Sequence, residues 1–78
     1  MDKLHLECTI EIGQWYEDWF GRYFRVYNLE PASDPWKSNV HIIFTNNLGE
    51  DVPRKEPHIM EARQVAGQCQ LQGMLSRT

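Results

Sequence analysis

Apolar and polar residues alternate without a break from Leu4 to Ile12, where Leu4, Leu6, Cys8, Ile10 and Ile12 are interleaved with His5, Glu7, Thr9 and Glu11. A period of two is the repeat of an extended chain, so the run predicts a half-buried strand with its first set on a core and its second set toward solvent or a partner. Gly13 then allows the chain to bend. The alternation returns from Arg22 to Leu29, with Phe24 and Val26 on one face and Tyr23, Arg25, Tyr27 and Leu29 on the other. It returns again from Val40 to Thr45, where Val40, Ile42 and Phe44 oppose His41, Ile43 and Thr45. Ile43 on the otherwise polar side implies that both faces of this strand are partly covered.

The segments between these runs read differently. In Gln14 to Gly21, Trp15, Tyr16, Trp19 and Phe20 have the spacing of one helical turn, while Glu17, Asp18 and Gly21 suit a connection. The reading is a turn with some helical character. Pro31, Ser33, Asp34, Pro35, Ser38 and Asn39 predict a loop, which carries Trp36, and Glu50 to Pro57 predicts an exposed connector. A helix is expected to start near Pro57 or His58. At 100° per residue, Ile59, Ala62, Val65, Ala66, Cys69 and Gly73 fall on one arc, and Glu61, Gln64, Gln68 and Gln72 lie largely opposite. The expected fold is therefore α+β: a small three-stranded antiparallel sheet with one C-terminal helix packed on a face, in a single domain over residues 1–78.

A chain of 78 residues buries only about 60 to 65% of its unfolded surface, so its core is thin and a supplement to stability is expected. Two cysteines, Cys8 and Cys69, are too few for a disulfide framework and read as small buried apolar residues in a reducing compartment, with a cross-link between them as the alternative. Neither a secretory leader nor an apolar run of membrane-spanning length is read from the chain, so the expected location is the cytoplasm. The net charge of −3 comes from scattered acids. It disfavours nucleic acid, whose phosphates call for clustered basic residues.

Catalysis and metal binding find no support in the spacing of reactive residues. His5 and Cys8 are three apart on a strand, hence on opposite faces, and His41 and His58 lack paired ligands at short spacing. Glu7 and Glu11 share a face but read as solvated strand charges rather than as an acid and base pair. No phosphate loop, serine-nucleophile, zinc-protease or calcium-loop pattern occurs. The chain is expected to be no enzyme and to need no cofactor or metal.

What the composition does contain is an excess of anchor residues: three Trp and three Tyr, more than a core of this size hides. Tyr23, Arg25 and Tyr27 on one strand face, together with Trp36, Glu7 and Glu11, are the residues expected to bind a partner. They form a mixed aromatic and charged patch if that face is shared with His5, Glu7 and Glu11 or with His41 and Thr45. Glu7, Glu11, Glu17, Asp18, Glu30 and Asp34 are acids that would suit a protein with a basic nucleic-acid-binding groove. The expected function is that of a small non-catalytic protein-binding module, an inhibitor or adaptor of a larger complex. Small acidic domains without motifs are common among the proteins that phages and other mobile elements use against host defence, a likeness of size and composition. Two alternatives stand beside it. The Tyr23, Arg25 and Tyr27 face could stack single-stranded nucleic acid, and Ala62, Ala66, Cys69 and Gly73 could pack against a second copy as a homodimer.

Overall fold

The computed structural model describes residues 3–75; Met1, Asp2 and residues 76–78, the ends of the expected domain, lie outside the described residues. The chain forms β1 (Lys3–His5), β2 (Thr9–Glu11), β3 (Gln14–Glu17), β4 (Tyr23–Glu30), a 3-10 turn (Pro35–Lys37), β5 (Asn39–Thr45), β6 (His58–Glu61), α1 (Ala62–Gln68) and β7 (Gln70–Met74). Strands β6-β5-β4-β3-β7 make a five-stranded antiparallel sheet, and β1 and β2 make a separate hairpin. The expected three-stranded sheet with a packed C-terminal helix is thus replaced by a mostly β architecture, seven strands among the described residues with one short helix.

Each departure has a physical cause. The run from Leu4 to Ile12 is not one strand but folds back around Glu7, pairing Leu4 with Ile10 and His5 with Thr9. The number of residues in the turn leaves paired positions with the same parity, so even-numbered residues stay on one face whether the chain runs straight or reverses. Leu4 and Ile10 are buried as the alternation requires, whereas Cys8, at the turn, is exposed. Gln14 to Glu17 is a strand rather than a helical turn. Its Gln14 side chain ties it to the hairpin, with Oε1 accepting from the Glu11 amide at 2.7 Å and Nε2 donating to the Thr9 carbonyl at 3.0 Å. In β4 a bulge between Val26 and Asn28 shifts the register against β5, which returns Leu29 to the core face instead of leaving it beside Tyr23 and Arg25.

The expected helix from Pro57 or His58 onward is broken into strand, helix and strand. Glu61 and Gln64 form a capping box, the Gln64 carboxamide accepting from the Glu61 amide at 3.2 Å, so helix can begin only at Ala62. At the other end Cys69 is extended, with φ −116° and ψ 151°, and the chain runs on as β7. α1 carries the chain from one edge strand, β6, to the opposite one, β7, across the inner face of the sheet. Its Ala62 and Val65 are fully buried there, against a core of Leu4, Ile10, Tyr16, Phe24, Val26, Leu29, Val40 and Ile42. The inner face therefore has two covers: α1 and the β1/β2 hairpin. The outer face has neither.

Candidate functional site

Cross-strand pairing assigns the outer face. Trp15 lies opposite Arg25, Arg25 opposite Ile43, and Tyr23 opposite Thr45. Tyr23, Arg25 and Tyr27 thus share a face with His41 and Thr45, the second of the two arrangements considered from sequence; His5, Glu7 and Glu11 belong to the hairpin on the inner side. The side chains of this outer face are occupied with one another. Trp15 stacks on Tyr23 with centroids 5.4 Å apart and donates from Nε1 to the Thr45 hydroxyl at 2.9 Å. Arg25 grips Asp51 through Nε at 2.8 Å and Nη2 at 3.0 Å, and this bond holds its guanidinium above the ordinary value. Tyr27 meets His41 edge-on at 5.7 Å, and His41 in turn pairs with Glu30.

The remaining residues expected from sequence are dispersed. Trp36 sits in the 3-10 turn, 37% exposed, in the connection that leaves the far end of β4. Tyr23 opens this eight-residue strand, so seven extended steps separate it from that end, a span of roughly 23 Å. Glu7 is exposed at the hairpin turn and Glu11 pairs with Lys3 at 3.8 Å. Of the other acids, Glu30 pairs with His41, Asp18 with Arg22, and Asp34 caps the 3-10 turn by accepting from the Trp36 amide. Ala62, Ala66, Cys69 and Gly73 do not form one helical stripe: Ala62 is fully buried, and Gly73 lies on β7. That geometry removes the single helical stripe on which the homodimer alternative was drawn.

A different group stands out, which the sequence reading passed over. The turn joining β3 to β4 projects Trp19 and Phe20, 70% and 66% exposed, with their rings 4.3 Å apart. The turn is rigid because Asp18, itself buried, bonds it from within. Its Oδ1 accepts from the amides of Phe20 and Arg22, each at 2.9 Å, and Oδ2 accepts from Arg22 Nε at 2.9 Å. The Asp18 amide donates to the Arg22 carbonyl, and Gly21 completes the reversal at φ +81°. The Arg22 guanidinium lies 5.1 Å from the Phe20 ring centroid and 5.4 Å from that of Phe44. Beside this tip a groove of about 490 Å³ opens on the inner side of the sheet, where α1 stops short of covering it. Phe44, His58, Met60, Gln64 and Gln68 line it together with the tip.

Just past α1, Cys69 is partly buried against the core; burial, aided by the charge of Asp18, pushes its thiol up to about 11. Burial likewise raises the Tyr16 phenol, with smaller contributions from Cys8 and Cys69. Among the described residues every buried side-chain nitrogen and oxygen has a hydrogen-bond partner, so no polar group is left inside for a ligand to satisfy. No three His, Cys, Asp or Glu side chains come together to hold a metal among those residues, and none of their helices is long and apolar enough to cross a membrane. Comparison with protein-family models, with curated proteins and with solved structures returned no match.

Proposed function

We propose that the chain is a non-catalytic protein-binding module acting in the cytoplasm, an inhibitor or adaptor whose contact surface centres on Trp19 and Phe20. The observation that carries this reading is the pair of large aromatic side chains exposed on a turn whose backbone Asp18 cross-bonds from within. Exposed aromatic area on a rigid support is what a binding hot spot requires, since little conformational entropy is lost when a partner covers it. The two cysteines are free, in keeping with a reducing compartment. Trp36 is a secondary contact at the far end of β4. Tyr23, Arg25 and Tyr27 support the sheet, and with Arg25 committed to Asp51 the face offers no unpaired arginine fork to a phosphate.

Affinity capture from the native host tests the proposal, comparing wild type with a Trp19→Ala, Phe20→Ala double variant whose fold is first verified by circular dichroism. Wild type is expected to retain a protein through nuclease treatment, and the double variant to lose about thirtyfold or more in affinity, the scale of a hot spot. Equal recovery by both forms, or recovery of nucleic acid that nuclease removes, would overturn it.

A further inference from the structure

The geometry points to a specific occupant for the groove beside Trp19 and Phe20: a segment of the partner protein that places a bulky apolar side chain next to an Asp or Glu. This inference rests on the protein-binding reading and names the chemistry of what is bound. Arg22 carries the argument. Its guanidinium has aromatic rings near it on two sides, from Phe20 and Phe44, and its Nε is fixed on Asp18 at 2.9 Å. Its Nη groups have no protein partner among the described residues. An arginine so constrained keeps a planar fork of donors in one place, and a carboxylate is the group whose two oxygens match that fork.

Charge favours the same ligand. Asp18 is the one carboxylate among the residues lining the groove, and it is buried with both oxygens already bonded. The other polar groups there, His58, Gln64 and Gln68, can each donate a hydrogen bond. On a chain of net charge −3, no described residue lining the groove presents an exposed carboxylate, and Glu61 beside it is held by the Gln64 amide and by Arg63 at 3.1 Å. A phosphate dianion fits less well, because Asp18 already offsets the Arg22 charge and a dianion would bring twice the uncompensated charge of a carboxylate to the same free donors. The apolar half of the ligand is set by Phe44 and Met60, both partly buried against the core, with Trp19 and Phe20 as a wall. A volume of about 490 Å³ is enough for one or two side chains of a peptide.

The test uses the isotope-labelled full chain and two blocked peptides, one with Phe flanked by two Asp and its counterpart with two Asn, titrated by NMR at pH 7.5. The Asp peptide is expected to shift the Trp19 indole and Gln64 and Gln68 side-chain signals and to bind about fivefold or more tightly than the Asn peptide, a preference that shrinks in 0.5 M salt. Arg22→Gln should abolish the preference. Because that change also removes a partner of Asp18, Gln64→Glu is the second variant: Glu at this position preserves the capping box while adding a carboxylate to the groove. It should weaken the Asp peptide about threefold more than it weakens the Asn peptide. Equal affinity of the two peptides, shifts confined to another surface, or no shifts at all would overturn the inference. The capture experiment with the Trp19→Ala, Phe20→Ala variant is read independently, so a protein recovered through the tip would leave the binding reading standing even then.

Discussion

Two arginines three positions apart sit in comparable company and do opposite things. Arg25, on the outer face, lies among Trp15, Tyr23 and Tyr27, and Arg22, at the end of the sheet, lies among Trp19, Phe20 and Phe44. Around Arg25 each group has a partner inside the fold: Asp51 takes two guanidinium donors, Thr45 takes the Trp15 indole, and Tyr23 stacks on that indole. Around Arg22 the guanidinium's hydrogen bonds among the described residues go to Asp18 alone, from Nε, while the rings of Trp19 and Phe20, though close to each other, remain mostly exposed. Aromatic and arginine residues do not by themselves mark a binding surface. The discriminating property is whether the fold already satisfies them, and here it does so on one side of the sheet and not on the other.

The largest effect that distinguishes the two clusters is expected at Trp15. Replacing it with Ala removes a half-buried indole, its stack on Tyr23 and its bond to the Thr45 hydroxyl, and should cost about 2 to 3 kcal/mol in a urea titration. A loss below about 0.5 kcal/mol would mean that the outer face is not self-supporting and would return it to the list of partner surfaces.

The next effect concerns how closely the core is sealed behind α1, where Cys69 packs. With its thiol pushed up from 9.0 to about 11 by burial and by Asp18, Cys69 should hold about a hundredfold less thiolate at neutral pH than an unperturbed cysteine. Its alkylation in a Cys8→Ser variant, followed by mass spectrometry, should keep accelerating to near pH 11 instead of levelling off at 9. The linkage has a definite sign. A thiol raised in the folded state contributes stability that is fully present below pH 9 and is lost as pH climbs to about 11, because the unfolded chain gives up that proton first. A plateau at pH 9 would show that water reaches the core behind α1.

Much of the inner face is legible in the sequence, because burial on one side imposes parity. Leu4, Ile10, Phe24, Val26, Val40 and Ile42 are all inside, as their alternation requires. Parity is blind to reversals, however, and so the β1/β2 hairpin was read as one strand. It is also blind to an inserted residue until the register is known, which is why the bulge at Tyr27 misassigned Leu29. The edge strands β6 and β7 were invisible for another reason. Half of an edge strand's backbone and much of its side-chain surface face water, so Gln70 and Leu71 carry no alternation, and the arc from Ile59 to Gly73 coincided with a helical period. The helix start did have a local signal in Glu61 and Gln64, three apart. The Trp19 and Phe20 tip had one as well: two aromatics enclosed between Asp18 and Gly21, both turn formers, have little choice but to point outward.

The smallest expected effect is the most informative one. Trp19→Ala and Phe20→Ala, singly or together, should change unfolding free energy by no more than about 0.5 kcal/mol, because both side chains are mostly exposed and the bonds that hold their turn belong to Asp18, Arg22 and the backbone. Phe20 also faces Arg22, and an exposed contact of that kind is worth about 0.5 kcal/mol at most in this setting. A near-zero change in denaturant midpoint alongside a large loss of partner is what separates a contact surface from a structural element. A stability loss above about 1.5 kcal/mol would instead place these rings within the fold's own support, on the same footing as Trp15, and would remove the asymmetry on which the binding reading depends.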